Sequence, residues 1–379
     1  MAFFSKYFDK SEPRALGIDI GSSAIKIVQL KKKNGQAILT TYGELALGPY
    51  AGFTVGQAVS LPPEKIAQAL TDLMNEKEVN ISTKKCGLSI PFASSLMSVI
   101  EMPEVSAKQL SVMVPLEARK YIPVPISEVA LDWSVIPKSE VRETTEYATA
   151  EDSSATQNDH GVISRIPKID VLVVAIHNET IARYQEIVTK SALEASFFEI
   201  EIFATCRAVL DEVLAPVMIM DIGAASTKLY VVERGIIRTS HTVNRGSQDI
   251  TAALSKSLGI TLAEAEVMKR QVGMVGKETS ANSVIALVLD YIFGETNTTL
   301  LSFEKKYNKT ISKVILVGGG SALKGLADLA KDAFKTEVVS ADPFNKVSTP
   351  AFLTNILKET GPEFAVAIGL ALRKLSEEE

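Results

Sequence analysis

The chain has 379 residues, 46% of them hydrophobic, and a formal net charge of −5. That length exceeds one ordinary core and suits two lobes or a few subdomains, and the apolar content excludes a disordered chain. The acidic balance, with no stripe of Lys and Arg, argues against a nucleic-acid partner, and three histidines without ligand spacing argue against zinc.

Cys86 and Cys206 sit in apolar runs and read as buried free thiols of a reducing compartment. The N-terminus lacks the long apolar stretch of a signal peptide, and no segment approaches the roughly 20 apolar residues of a spanning helix. A cytoplasmic protein without a transmembrane segment is expected. The opening MAFFSKYF carries four aromatics. A locally packed terminus is the plainer reading, and a membrane or partner contact the other.

From Leu16 the chain reads LGIDIGSSAIKIVQLKKKNGQAILTTYG, and from Ile219 it reads IMDIGAASTKLYVVERGIIRTSHTV. Asp19, Gly21 and Lys26 recur as Asp221, Gly223 and Lys228. Each copy is an apolar run, an Asp, a glycine turn with small hydroxyl residues, and a second apolar run. Each ends at a tight turn, Asn34-Gly35 or Arg234-Gly235. The pattern predicts a repeated β-hairpin unit, hence two related lobes facing a shared site.

After the first hairpin a helix is predicted over 63–76 and a strand over 86–91. The block 92–168 reads as a small inserted subdomain, with a strand at 96–102, a helix from Ser106 to about Tyr121 capped by the Ser106 hydroxyl, and a strand near 129–136. The segment 139–160 is acidic with Tyr147 as its sole aromatic, and reads as a mobile solvated loop, with a regulatory or partner contact as the other reading. A strand over 169–176 and a helix over about 179–193 return to the first lobe. The second lobe opens with the repeated hairpin and continues with helices at 247–258, 262–272 and 285–307. A strand at 314–317 then runs into Gly318-Gly319-Gly320, with a helix beginning near Ser321, and a last helix is predicted at 364–375.

In each DIG turn the glycine lets backbone amides approach an anion closely, and Ser22, Ser23, Ser226 and Thr227 add hydroxyl donors. An Asp just before the turn can hold a divalent cation, usually through water, beside phosphates. One such turn alone is better explained by a structural hairpin. Two matching copies followed by a glycine-rich strand-to-helix turn point to a nucleotide.

The order and spacing of these motifs resemble the actin-like ATPase superfamily, which includes actin, Hsp70, sugar kinases and FtsA. The resemblance implies an α/β, ribonuclease H-like fold with two lobes around a nucleotide cleft, and ATP with Mg2+ as ligands. Asp19, Gly21, Ser22, Ser23 and Lys26 match the first phosphate motif. Asp221, Gly223, Ala224, Ser226 and Thr227 match the second, and Gly318, Gly319, Gly320 and Ser321 the adenosine motif. Asp19 and Asp221 would hold the magnesium, mostly through water. EVMKR at 266–270 resembles the helix whose Glu266 and Lys269 would reach ribose and adenine. EIEIFAT at 199–205 falls where the family has its connecting helix, which would give Glu201, with Asp221, a catalytic role in orienting water. Glu201 reads equally well as a surface carboxylate beside Glu199.

The strand-helix-strand insert resembles the 1C (SHS2) subdomain of the FtsA branch. The wordings GIDIGSSAIKIVQL, KYIPVPISEVALDW and IDVLVVAIHNETIARY look most like the PilM family of type IV pilus assembly proteins, over nearly the whole chain. This implies subdomain 1A at 13–91, 169–212 and 362–376, subdomain 1C at 92–168, and a second lobe (2A/2B) at 216–361. It implies an ATP-binding scaffold peripheral to the inner membrane through protein partners. The partner would be the N-terminal cytoplasmic peptide of PilN in a 1A/1C groove, and through it the PilN/PilO/PilP complex, with room for contact with pilus motor ATPases and for self-association. Leu96–Met102 and Val112–Leu116 are candidate groove walls, though ordinary core is the simpler role. Where the family often has paired glycines after the second hairpin, this chain has Gly246-Ser247, which alters either the pocket or only the helix cap. An FtsA-like filament anchor or a small-molecule kinase are the competing readings, and the chemistry of hydrolysis stays open.

Overall fold

A computed structural model of the chain describes residues 12–136, 167–211, 214–275 and 279–377. The aromatic N-terminus and the acidic 139–160 segment lie outside the described residues. In chain order the elements are β1 (Arg14–Ile20), β2 (Ala24–Lys33), β3 (Gln36–Ala46), α1 (Pro63–Asn75), β4 (Lys85–Ile90), β5 (Ser95–Pro103), α2 (Ala107–Ala118), β6 (Val129–Val135), β7 (Lys168–His177), α3 (Asn178–Lys190), β8 (Glu194–Ile200) and α4 (Glu201–Val209). They continue with β9 (Val217–Ile222), β10 (Thr227–Glu233), β11 (Ile236–Val243), α5 (Ser247–Leu258), α6 (Leu262–Val272), α7 (Ser280–Tyr307), β12 (Lys313–Val317), α8 (Leu326–Phe334), β13 (Glu337–Ser340), α9 (Thr354–Thr360) and α10 (Ala365–Ser376).

The chain forms two compact units. One runs up to Ser94 and resumes at Glu179; the other is Ser95–Asn178. The larger unit holds two five-stranded sheets with strand orders β3-β2-β1-β4-β8 and β11-β10-β9-β12-β13. In both, an antiparallel meander is extended by two parallel strands. The repeat is therefore a whole sheet rather than the expected hairpin. The likeness reaches fine detail. Asn34 (φ 53°) with Gly35 (φ 77°), and Arg234 (φ 53°) with Gly235 (φ 76°), each put two positive φ angles at a two-residue tip. That is the type I′ geometry whose twist matches the flanking strands. Each meander carries a bulge, after Gln29 in one and after Val231 in the other, ten residues beyond the respective Asp.

α10 packs into the first lobe's core, with Ala367, Ile368, Leu370 and Ala371 fully buried. Two glycines permit that approach. A Cβ on Gly17 would sit 1.9 Å from the Ala367 carbonyl oxygen, and one on Gly369 would sit 1.9 Å from that of Ala204. Buried Glu199 accepts from Arg207 Nη2 at 2.7 Å and from Arg373 Nη1 at 2.9 Å, tying α4 and α10 to β8. Cys86 and Cys206 are unpaired, and burial pushes the Cys86 thiol up to about 12.

The second lobe is centred on α7. By length and composition alone this helix could cross a membrane, which corrects the expectation that no segment comes close. It is instead a core helix: Ile285, Leu289, Ile292, Phe293, Leu300 and Phe303 are buried against β9, β10, α5 and α8 residues. The smaller unit is an antiparallel sheet, β5-β7-β6, with Ile100, Met102, Val171 and Val173 packed on Leu110 and Val114 of α2. β7 is thus its central strand and does not return to the first lobe as expected, because it pairs with β5 and β6. Ser106 caps α2 reciprocally: its amide donates to Gln109 Oε1 at 3.1 Å, and its hydroxyl accepts from the Gln109 amide. Val112 and Leu116, one turn apart on α2, are 64% and 56% exposed, so they are not core residues.

Gly369→Ala is expected to destabilise by about 3 kcal/mol, because the methyl group must displace backbone. Gly294→Ala is the control, since nothing lies within 4 Å of the added carbon on α7; it should stabilise by about 1 kcal/mol. Urea midpoints of the two variants, moving in opposite directions, are the measurement.

Candidate functional site

The antiparallel register decides where the chemistry goes. Residues directly opposite in such a pair share a face. Asp19 is paired with Lys26, and Asp221 with Lys228. Each DIG turn is closed the same way, by Gly21 N–H donating to Ala24 O at 3.0 Å and Gly223 N–H to Ser226 O at 2.9 Å. The two turns face a cavity of about 1200 Å3. It is lined by Asp19, Gly21, Ser22, Ser23 and Lys26 from the first turn and by Asp221, Gly223, Ala224 and Ser226 from the second. Glu201, Glu266, Lys269, Gly318, Gly319 and Gly320 complete the predicted set that it brings together.

Two predicted residues lie elsewhere. Thr227 is fully buried, and its hydroxyl donates to the Arg245 carbonyl at 2.9 Å, because strand alternation turns it away from Ser226. The Ser321 hydroxyl donates to the Gly318 carbonyl at 2.7 Å and closes the glycine turn rather than lining the cavity. The helix expected near Ser321 is only a single turn at Gly319–Ala322; α8 begins after Gly325, whose φ of 78° breaks the path. Ser247 is not a cap either. Its amide donates to Gly223 O at 2.9 Å, and that of Gln248 to Ala224 O at 3.0 Å, fastening the start of α5 to the second DIG turn. The cap position belongs to Gly246, whose amide donates to Asp249 Oδ2 at 2.8 Å.

The floor is a cluster of buried charges. Lys228 Nζ donates to Glu201 Oε2 at 2.7 Å and to Asp221 Oδ2 at 3.2 Å. Glu201 Oε1 accepts from the Phe92 amide at 2.7 Å. Glu201 is thus no surface carboxylate. Burial pushes it above the usual carboxylate range, against the pull of Lys228, while Asp221, Glu201 and Asp19 hold the Lys228 ammonium above its ordinary value despite burial. Across the floor, Asp19 Oδ1 accepts from the Ser89 hydroxyl at 2.8 Å, and burial raises its pKa as well. Lys26 turns instead to Glu44 on β3, at 3.4 Å.

The glycine turn after β12 abuts this floor. A Cβ on Gly318 would lie 2.4 Å from Asp221 Oδ1, and one on Gly320 2.3 Å from Ile222 Cγ2. On the second-lobe side, Glu266 accepts from Thr251 Oγ1 at 2.7 Å and from Arg270 Nε at 2.8 Å, and lies 2.6 Å from Lys269 Nζ. These partners hold its carboxyl below the usual range although burial opposes them. Among the described residues no three Asp, Glu, His or Cys side chains converge as metal ligands. The two opposed carboxylates, Asp19 and Asp221, suit a hydrated cation delivered on phosphates, which keeps most of its waters. Sequence reading passed over Ser89 and the second role of Lys228. Ser89 has no local signature, whereas Lys228 was visible as the repeat of Lys26.

Two sheets of one topology, opposed glycine turns and a charged cavity between them define the actin-like ATPase fold. The ethanolamine utilization protein EutJ from Carboxydothermus hydrogenoformans shares that fold, with a TM-score of 0.52 and 15% identity over 95% of this chain and 89% of that one. The chain belongs to the PilM family of type IV pilus assembly proteins: residues 17–149 and 160–375 match the family described as "Type IV pilus assembly protein PilM". It is also similar to a solved PilM-PilN type IV pilus biogenesis complex chain, with 27% identity, a TM-score of 0.76, and coverage of 95% of this chain and 98% of that one. The cell division protein FtsA of Neisseria meningitidis serogroup B is 24% identical over 354 residues, spanning 82% of this chain and 81% of its own.

Lys228→Met should strand Glu201 and Asp221 without their cation and destabilise by about 3 kcal/mol. The sign with pH follows from Glu201. Its folded pKa is already raised, so the folded state binds the proton more readily than the unfolded chain, and stability falls as pH rises above the ordinary carboxylate value. Without Lys228 that fall must steepen. Urea midpoints at about pH 5 and about pH 8 should differ more in the variant than in the wild type.

Proposed function

We propose that this chain is a nucleotide-binding scaffold of type IV pilus assembly, taking ATP with Mg2+ in the cavity between its two sheets and the N-terminal peptide of a PilN-type membrane protein as its partner. The observation that carries the nucleotide is the pairing of two like glycine turns across one cavity, each with an Asp at its mouth. Amides and hydroxyls of Ser22, Ser23 and Ser226 would hold the phosphates, Asp19 and Asp221 a hydrated magnesium, and the Glu266–Lys269 pair with Gly318–Gly320 the nucleoside.

Binding rather than rapid turnover suits the floor. Each oxygen of Glu201 already accepts a bond, one from a backbone amide and one from an ammonium, so the carboxylate is held in place instead of being free to draw a proton from water. The peptide partner rests on the likeness to the PilM-PilN complex chain. The exposed Val112 and Leu116 offer an apolar anchor for such a peptide on α2. The protein would then sit on the cytoplasmic side of the inner membrane, held there by its partner.

Asp19→Ala should abolish magnesium-dependent ATP binding, lowering affinity at least about 100-fold in calorimetric titration, if the carboxylate and cation act together; unchanged affinity would sink the nucleotide reading. A synthetic peptide matching the N-terminus of the neighbouring pilus membrane protein should bind the wild-type chain and bind Val112→Asp at least about tenfold more weakly. Equal binding of a scrambled peptide would remove the partner.

A further inference from the structure

The connection between β3 and α1, residues 47–62, leaves the first lobe and returns to it, touching the second lobe on the way and lining the cavity. Its inner face lines the cavity through Leu47, Gly56, Val59 and Leu61, while Phe53 and Val55 on its outer side are 58% and 52% exposed. At the first lobe it is bonded to the phosphate turn itself. Leu47 N–H donates to Ser23 O at 2.8 Å, and Val59 N–H donates to Ser22 O at 2.9 Å. At the second lobe it has two contacts of a different kind. Ala58 N–H donates to Gln248 Oε1 on α5 at 3.1 Å. Gly56 lies flat against Glu266 on α6, where a Cβ would come within 2.9 Å of the carboxylate carbon.

Gly56 is required twice over. Its φ of 87° disfavours any side chain, and the Glu266 carboxylate cannot yield, being fixed by Thr251, Lys269 and Arg270. The contrast between the two ends is what matters. Backbone bonds root the segment on the first lobe, whereas among the described residues its hydrogen bond to the second lobe is to a side chain, beside the packing of Gly56 on Glu266. A segment held unequally opens at its weaker end.

We propose that residues 47–62 are a strap that gates the nucleotide cavity, hinged at the Ser22-Ser23 turn and latched on the second lobe by Gln248 and Glu266. The proposal rests on the nucleotide reading above. The Gln248 half of the latch contacts protein and does not line the cavity, unlike Glu266, which the nucleotide reading assigns to the nucleoside. Weakening the Gln248 half therefore raises entry and release together and leaves affinity nearly unchanged, which no direct ligand contact would do.

The test uses the full chain with magnesium and a fluorescent ATP analogue in stopped-flow, measuring association directly and dissociation by chase with unlabelled ATP. Gln248→Ala should speed both rates about fivefold, the loss of one hydrogen bond, with the equilibrium constant kept within about twofold. Gln248→Glu, which keeps an accepting oxygen for the Ala58 amide, should stay close to the wild-type rates, with circular dichroism and melting temperature confirming that both variants fold. Unchanged rates in Gln248→Ala, or faster release with unaltered entry, would overturn the strap while leaving the nucleotide site standing. A wild-type chain that binds no displaceable analogue would overturn both.

Discussion

The register of two antiparallel hairpins governs this molecule. Because each Asp lies directly across from a Lys on the neighbouring strand, both meanders bring an acid and a base to the same face at the mouth of a glycine turn. The pairs then diverge. In the second lobe Lys228 stays with Asp221 and recruits Glu201. In the first, Lys26 is drawn to Glu44 on the outer strand, leaving Asp19 to Ser89. One sheet design thus yields two unlike half-sites. The first presents a carboxylate held by a neutral hydroxyl, the second a carboxylate neutralised by a neighbour. Buried charges persist only when paired or hydrogen-bonded, and each of these has such a partner.

Around that floor the cavity is shaped by how close backbones come. Gly318 and Gly320 bring the third turn against Asp221 and Ile222 at distances no side chain would allow. The first amides of α5 are consumed by the carbonyls of Gly223 and Ala224, so the N-terminus of that helix braces the phosphate turn instead of offering its amides to an anion. On the proposed nucleotide reading, phosphate recognition would fall to the turns and their serines. The departure from a glycine pair at Gly246-Ser247 does not change this, since Ser247 contributes its backbone.

The sequence made legible what depends on short range. Apolar runs, glycine turns and two-residue tips announced both hairpins, and 3.6-residue periodicity placed α1. What depends on distant partners was hidden. Ser89 reaches Asp19 across 70 positions and Gln248 reaches Ala58 across 190, separations that no local pattern encodes. Thr227 was misplaced because a hydroxyl beside a turn looks alike on either face, and only the strand's alternation sends it inward toward Arg245. β8 escaped notice because its EASFFEI pattern runs straight into α4, and its last residues were read with the EIEIFAT stretch as the connecting helix. The single turn at Gly319–Ala322 was taken for a helix start because three glycines conceal where a fourth, Gly325, redirects the chain.

The placement of α10 bears on the order in which the lobes can be made. Strands β9 to β13 and the helices among them form a nearly unbroken stretch of chain, so the second sheet can close as soon as that stretch leaves the ribosome. The first sheet cannot. Its opening strand, β1, is covered by a helix that begins only at Ala365, with Gly17 and Ala367 in backbone contact. At about 5–20 residues per second, β1 waits roughly 20 to 70 seconds for the surface that buries it. The half of the molecule translated first is the last to be finished, and until then its apolar face is open to whatever else the cell provides.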